Sequence, residues 1–182
     1  MSKPELDTLW SQAWALIESG PTDPASPARH PVLATQGLSG GGEARMVVLR
    51  EADRRARELR IHADRASTKC LELRAEPRAT LLMWAPQSQM QVRLRVAIQK
   101  RQGTSEEWGL LPDHAQINYG GSPRPGQPIP AHDAWTPEPD PSRFAVLTCA
   151  LRGLEILVLD PTGHRRARFS PADRWGGTWL TP

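Results

Sequence analysis

The sequence predicts a mainly antiparallel β domain of the α+β class that begins with one helix. Three observations lead to this prediction. Apolar residues repeat at three- and four-residue intervals from Leu6 to Ile17, as they do on one face of a helix. Apolar and polar residues alternate from Met90 to Lys100, as they do in a strand with one covered face. The length of 182 residues suits one domain with its own core, and we assign residues 1–182 to it.

The first half of the chain predicts a helix, a hairpin and a short second helix. The N-terminal helix should end near Gly20 and Pro21. A hairpin follows, with strands at 31–36 and 44–50 around a glycine-rich turn at 40–42. A turn at 51–57 leads to a third strand at 58–63. The short helix at 67–76 comes next, with Ser67 or Asp64 as its N-cap and Pro77 beyond its end.

The second half predicts further strands around one long proline-rich segment. The expected strands cover residues 78–84, 90–100, 144–151, 154–160 and 165–169. Eight prolines lie between Pro112 and Pro141, so regular structure is not expected across much of residues 112–141. A loop of this length in one domain usually has a function, and we interpret it as a lid or a dimer-edge segment.

Composition limits the classes of function. A net charge of +3 and a pI near 9.3 favour an anionic ligand or partner. Because 23 basic residues face 20 acidic ones, composition alone does not choose between a nucleotide and a nucleic acid. Cys70 and Cys149 form neither a disulfide framework nor a zinc pattern, which favours a cytoplasmic location. No apolar run is long enough to predict a signal peptide or a membrane span.

Two basic strings about twenty residues apart are the first functional signal. The string at 45–50 runs from Arg45 to Arg50, and the string at 61–69 ends in Ser67, Thr68 and Lys69. A helix N-terminus presents unpaired N–H groups, so these three side chains would converge with it on one phosphate. Arg45 and Arg50 are an odd number of positions apart, so a straight strand would send them to opposite faces. The 45–50 string must therefore bend, or its two arginines must have different roles.

Two later strings complete a pattern. They run from Gln91 to Val96 and from His164 to Phe169, and Trp175 and Trp179 follow the second. In this order and spacing the four strings resemble the pyridoxamine 5'-phosphate oxidase-like family of FMN-binding split barrels, over residues 31–182. The resemblance implies an antiparallel split β-barrel, FMN as cofactor, and a homodimer whose subunit interface holds the FMN.

The resemblance also assigns contacts with FMN to residues of all four strings. These are Arg45, Met46, Val47, Val48, Arg50, His62, Ala63, Ser67, Thr68, Lys69, Gln91 and Arg168. If each site uses both chains, Gln91 and Arg168 are expected from opposite subunits. Gln91 offers a donor and an acceptor, as a flavin edge requires.

The sequence departs from the family pattern at the cofactor and at the substrate. Thr68 stands where the family has a phosphate-binding arginine, and Val158 stands where it has an aromatic residue beside the flavin. The family's substrate-binding Tyr, Arg and Ser are replaced by Glu107, Leu111 and Ala115, and its C-terminal Arg and His by His164 and Arg166. The resemblance thus implies FMN-dependent oxidoreduction of a small molecule other than the usual vitamer phosphate.

Two other classes of function stay open at this point. No catalytic acid, base or nucleophile and no metal-ligand pattern stands out, so a flavin or haem carrier without turnover is one alternative. The other is a nucleic-acid-binding barrel that would use the arginines of the later strings, Arg93, Arg95, Arg165, Arg166 and Arg168. Interspersed acids and an aromatic content of only 5% weigh against that second alternative. An absorbance spectrum of the purified protein separates these classes.

Overall fold

The structure is a computed structural model that describes residues 3–182. Its helices are α1 (Lys3–Thr22), α2 (Thr68–Ala75), α3 (Ser105–Gly109) and α4 (Asp113–Gln116). Its strands up to the proline-rich segment are β1 (Val32–Gln36), β2 (Gly42–Met46), β3 (Leu49–Asp53), β4 (Glu58–Asp64), β5 (Arg78–Ala85) and β6 (Met90–Gln102). The later strands are β7 (Gly120–Ser122), β8 (Thr136–Pro139), β9 (Phe144–Val158), β10 (Arg165–Phe169) and β11 (Thr178–Leu180).

Nine of these strands form one antiparallel sheet. Its main path runs β11-β10-β9-β6-β5-β1-β2, and β4 joins β9 while β3 pairs with β4. The sheet is not closed into a continuous ring of paired strands. β7 and β8 form a separate hairpin. The predicted fold class is confirmed: an antiparallel α+β architecture of the split-barrel type, with an N-terminal helix and a short helix, α2, between β4 and β5.

The two faces of the sheet differ in burial: the inner face, called concave below, holds the apolar core, and the outer face, called convex, carries His62, Gln91 and Arg93. Alternate residues of its strands point inward, and the largest of them are fully buried: Leu33, Leu49, Leu59, Ile61, Leu81, Leu94 and Leu147. α1 packs on β3 with the stripe that the sequence predicted, and its Trp14 is fully buried. Trp10 joins α1 to the C-terminal region, because its ring lies 5.1 Å from that of Phe169 and 5.8 Å from that of Trp175.

Close packing explains the end of α1. The helix continues through Gly20 and Pro21 to Thr22, slightly beyond its predicted end. A Cβ atom at Gly20 would lie 2.7 Å from the carbonyl oxygen of Ala28 and 2.9 Å from Leu49 Cδ2. Only glycine therefore lets the last turn of α1 approach β3 this closely. None of the helices within residues 3–182 is both long and apolar enough to span a lipid bilayer.

The predicted strand at 44–50 is wrong, because the chain changes partner in its middle. β2 ends at Met46 and β3 begins at Leu49, which places Arg45 and Arg50 on different strands. The N–H groups of Val47 and Leu49 donate to the carbonyls of Pro31 and Arg29, at 3.0 and 2.9 Å. The predicted turn at 51–57 is wrong in its first part, since β3 extends to Asp53. The bend that the odd spacing of the two arginines required is present.

Other predicted boundaries need correction for similar reasons. The two strands expected at 144–151 and 154–160 are one strand, β9, because β6 pairs along its whole length across a bulge at Arg95 and Val96. The proline-rich segment contains α4 and the β7–β8 hairpin, although little regular structure was expected there. β11 was not predicted. It is only three residues long, too short to show an alternation that would distinguish it from a loop.

Candidate functional site

The first group of predicted site residues surrounds the first turn of α2. Ser67 occupies the N-cap position, but its hydroxyl donates to the carbonyl of Asp64 at 2.6 Å instead of capping the helix. Lys69 is half-buried, and its Nζ donates to Ser67 Oγ at 3.2 Å. Among residues 3–182 no carboxylate pairs with Lys69. Its positive charge is thus free to meet an anion at the start of the helix, as predicted from the sequence.

Arg45 reaches the same helix from β2. Its Nη2 lies 2.8 Å from Oε2 of Glu72, a side chain that is only 2% exposed. The Thr35 hydroxyl donates to the same carboxylate oxygen at 2.6 Å and also contacts the Arg45 guanidinium. Glu72 is three residues beyond Lys69 and so shares its helix face. Arg45 is therefore committed to holding α2 against the sheet, and it would reach a phosphate only with its charge partly balanced.

The second group contains Arg50 and His62 on the convex face of the sheet. The His62 ring lies edge-on to that of Phe144, with centroids 4.8 Å apart. Tyr119 also packs on Phe144, at 5.0 Å, and burial raises the pKa of its hydroxyl beside Arg50. Arg50 Nε and His62 Nδ1 are both buried and make no hydrogen bond with any described residue. Buried polar atoms normally have partners, so this spot is chemically unsatisfied without a ligand or water.

The pH dependence of stability should reveal His62. Burial, and secondly the Arg50 charge, lowers the pKa of His62 from 6.5 to about 4. The unfolded chain therefore binds the proton more tightly, so stability is full above about pH 6.5 and is lost as pH falls towards about 4. Across this pH range the free energy of unfolding of the wild type should fall by up to about 3 kcal/mol, and solvent screening reduces this value. His62→Phe should not show this fall. Urea unfolding of the wild type and His62→Phe between about pH 4 and 6.5 measures the difference. Unfolding free energies that fall in parallel with pH in both proteins would contradict this role of His62.

The third group lies on the convex face of β6 and β10. Gln91 pairs across β9 towards Arg166, and Arg93 pairs through Glu155 to Arg168 in the next row. Glu155 Oε2 accepts from Arg93 at 2.7 Å, and Glu155 Oε1 accepts from Arg166 at 2.8 Å. Arg168 is exposed and has no ion pair among the described residues. Gln91 and Arg168 thus share one face of one protomer, two strand spacings and two residues apart, or about 12 Å.

The remaining predicted cofactor contacts belong to the junction of β2 and β3, to β4 and to the start of α2. Val47 and Ala63 point into the core, while Met46 is 61% exposed and Val48 is half-buried. Thr68 is exposed on the first turn of α2. Val158, which stands at the aromatic position of the family, is buried in the core and offers no ring-facing surface. Only the backbones of these core residues can face a ligand on the convex side.

The substrate positions differ from the family pattern in structure as well as in sequence. The Glu107 carboxylate binds Arg101 in a fork at 2.5 and 2.7 Å and accepts from the Thr104 N–H at 2.8 Å. These hydrogen bonds lower the pKa of Glu107 to about 2, with the Arg101 bond the largest cause. Ala115 is buried and Leu111 packs on the Phe144 cluster. None of the three positions leaves a free cation or hydroxyl for a substrate phosphate.

Several residues around the site escaped the sequence reasoning. Tyr119 belongs to the second group, Glu155 to the third, and the pair of Asp64 with Arg143 lies beside the first. Their partners are far along the chain. Arg93, the partner of Glu155, did carry a local signal, because it lies two residues after Gln91 and so on the same face of β6. His164, which replaces one residue of the family's C-terminal substrate pair, lies at an exposed turn, where its Nδ1 accepts from the Asp160 N–H at 3.2 Å.

The donor set of the three groups fits FMN. A phosphate needs several cationic or hydroxyl donors, and Lys69 and the exposed Thr68 hydroxyl supply them at the start of α2, whereas the Ser67 hydroxyl already donates to the Asp64 carbonyl. A flavin ring needs hydrogen-bonding groups at its edge, which Gln91 and the unpartnered Arg50 Nε offer. Within residues 3–182 no cluster of histidine, cysteine and acidic side chains is built to hold a metal ion.

Comparison with known proteins places the fold. No protein-family model and no curated protein matches this sequence. A solved pyridoxamine 5'-phosphate oxidase-related, FMN-binding protein from Nostoc punctiforme PCC 73102 superposes with a TM-score of 0.76 and 24% identity, over 95% of this chain and 97% of that one. PhzG from Burkholderia lata 383 gives 0.74 and 18%, over 98% and 96%.

A third solved structure is similar along its whole length. It is a general stress protein 26-related member of the pyridoxinephosphate oxidase family from Clostridium acetobutylicum, with a TM-score of 0.60 and 11% identity over 95% of this chain and 99% of that one. At these identities the likeness concerns the fold. It confirms at that level the resemblance inferred from the four strings. The chain therefore has the split-barrel fold of the pyridoxamine 5'-phosphate oxidase-related, FMN-binding proteins.

Proposed function

We propose that this chain is a homodimeric FMN-binding protein that oxidises or reduces a small molecule other than pyridoxamine 5'-phosphate. The observation that carries the proposal is Lys69, a half-buried cation without a carboxylate partner at the start of α2, in a fold that a solved FMN-binding protein shares. Bound FMN would supply the electron or hydride chemistry. Lys69 and the exposed Thr68 hydroxyl would hold its phosphate, and Gln91 and Arg168 would contact its ring.

The separation of the site groups supports a dimer. His62 pairs through Val146 with Arg101 at one end of β6, whereas Gln91 lies at the other end. Ten residues of strand, about 33 Å along the chain, separate Arg101 from Gln91. One protomer would not bring both ends to the same flavin, but the convex face of a second copy could. Gln91 and Arg168 share that face in each protomer, and their contribution to one flavin from opposite subunits stays a prediction.

The convex face has the apolar surface that such a dimer needs. Met46 is 61% and Trp84 41% exposed there, and Leu82 lies half-buried between them. A cavity of about 560 Å³ opens on the same face, beside Thr80 and Arg95. Exposed large apolar side chains grouped on one face usually mark a contact surface.

Light scattering tests the dimer directly. We expect a mass of about 40 kDa, twice the 20.2 kDa chain. Trp84→Lys should give the monomer mass and lose FMN, because it places a charge in the proposed contact. Leu110→Lys is the matched control, since Leu110 is 79% exposed just beyond α3, whereas Trp84 lies beside Gln91 at the other end of β6. A monomeric wild type that still binds FMN would contradict the shared site.

The substrate proposal rests on the closed Glu107 position. With Glu107 paired to Arg101, an approaching phosphate meets a carboxylate where the family pattern has neutral and cationic groups. We expect FMN-loaded protein to leave pyridoxamine 5'-phosphate unoxidised, as monitored by its absorbance. A reduced aromatic carboxylic acid is the first alternative probe, because the solved PhzG holds tetrahydrophenazine-1-carboxylic acid and Arg50 Nε lacks a partner here. Ordinary turnover of pyridoxamine 5'-phosphate would show that the substrate site is intact.

A further inference from the structure

Asp64 is a buried acid that connects three distant segments of the chain. It is 5% exposed, and its carboxylate receives both Nε and Nη2 of Arg143, at 2.9 and 2.8 Å. The same carboxylate accepts from the N–H of Gly120 at 2.9 Å and from that of Ala66 at 2.7 Å. Four charge-assisted hydrogen bonds on one buried side chain fix its surroundings in a single arrangement.

These four bonds come from three different parts of the proposed site. Ala66 belongs to the turn that leads into α2, where Ser67 Oγ also donates to the Asp64 carbonyl. Gly120 begins the β7–β8 hairpin and follows Tyr119, whose ring packs on Phe144. Arg143 precedes β9 at the end of the proline-rich segment. The carboxylate thus ties both ends of residues 120–143 to the turn that precedes α2.

The tied segment reaches the first turn of α2. Gly126, with φ of +83°, lies beside Thr68: a Cβ atom on it would be 3.1 Å from Thr68 Oγ1. Arg124 closes the same turn, since its carbonyl accepts from the Gln127 N–H at 3.2 Å. The backbone of residues 124–127 therefore stands next to position 68, where the family pattern has a phosphate-binding arginine.

We propose that Asp64 and Arg143 are positioning residues that hold residues 120–127 as a wall over the phosphate end of the flavin site. This inference rests on the proposed function, because it concerns the same FMN. The Asp64–Arg143 pair fixes the turn at 64–67 and the wall together, so the first turn of α2 is already ordered when the phosphate arrives. Thr68 is exposed, but its hydroxyl lies against the wall, so an arginine at position 68 would have to extend away from residues 124–127.

Flavin titration with Asp64→Asn tests the positioning role. The variant keeps one acceptor oxygen, for either the Ala66 N–H at Oδ1 or the Gly120 N–H at Oδ2, and loses the charge that the Arg143 fork requires. We expect FMN affinity to fall about tenfold or more, with riboflavin affinity unchanged, because riboflavin has no phosphate. Arg143→Lys keeps the charge and loses the fork, so it should show a smaller loss of the same kind. It also provides the test if Asp64→Asn does not fold.

Glu76→Gln is the matched control. It breaks an exposed carboxylate–arginine pair, Glu76 with Arg78 at 2.6 Å, at the opposite end of α2. Both flavin affinities should stay at their wild-type values. Hydrogen exchange adds a second readout: FMN should slow exchange across residues 119–127 of the wild type, and riboflavin should not.

Thr68→Arg tests the wall itself. On sequence grounds this change would restore a phosphate contact and tighten FMN if space allowed, whereas the wall predicts no gain or a loss. Tighter FMN binding in Thr68→Arg, or an unchanged FMN-to-riboflavin ratio in both Asp64→Asn and Arg143→Lys, would overturn the inference and leave the FMN proposal standing. A wild type that binds neither flavin would overturn both.

Discussion

Replacing Lys69 by alanine is expected to weaken FMN binding by roughly ten- to a hundredfold. The change removes one charge-assisted contact, which is typically worth about 1.5–3 kcal/mol. Lys69 donates only to Ser67 Oγ in the structure, so its loss breaks no ion pair and should leave the fold intact. Riboflavin affinity should not change. Titration of flavin fluorescence with both ligands measures the effect.

Arg74→Ala provides the control for this variant. Arg74 is an exposed cation in the last turn of the same helix, so its removal changes the net charge equally without touching the start of α2. Its FMN affinity should match that of the wild type. Equal FMN affinity in wild type, Lys69→Ala and Arg74→Ala would remove the first turn of α2 from the site.

Truncating Phe144 to alanine is expected to lower the free energy of unfolding by about 3–5 kcal/mol. Phe144 is fully buried, and it contacts His62, Trp108 and Tyr119 through ring distances of 4.8, 5.9 and 5.0 Å. Its loss leaves a cavity among His62, Trp108 and Tyr119, beneath α3. Urea unfolding followed by tryptophan fluorescence measures the change.

Leu110→Ala separates this effect from truncation in general. Leu110 lies just beyond α3 but is 79% exposed, so its removal should change the unfolding free energy by less than about 0.5 kcal/mol. If Phe144→Ala and Leu110→Ala unfolded at the same urea concentration, the Phe144 cluster would not be what holds residues 104–121 on the sheet.

The fold was predictable where a local period controlled it. Val92, Leu94 and Val96 alternate with polar residues, and this pattern alone fixes which face of β6 is buried. The break between β2 and β3 was not predictable in position, because it depends on carbonyls of Pro31 and Arg29 that lie elsewhere in the chain. The β7–β8 hairpin is held by long-range contacts, which no periodic pattern in a proline-rich sequence could reveal.

The candidate site shows the same division. Ser67 and Lys69 follow from the sequence because their chemistry depends on the start of one helix. The pairs that organise this region do not: Arg45 with Glu72, and Asp64 with Arg143, join residues 27 and 79 positions apart. His62 of β4 lies in the row of Arg101, at the opposite end of β6 from Gln91, and this placement also depends on strand register, which only the folded sheet defines.

The absorbance spectrum of the protein, loaded with FMN and then desalted, tests the proposed FMN binding most directly. We expect the visible flavin bands to stay with the protein at about one FMN per protomer, and to elute with the dimer in size-exclusion chromatography. Riboflavin treated in the same way should be retained less, because the phosphate contact at Lys69 is missing. A colourless protein after desalting, with all of the FMN in the small-molecule fraction, would contradict the assignment of this chain as an FMN-binding protein.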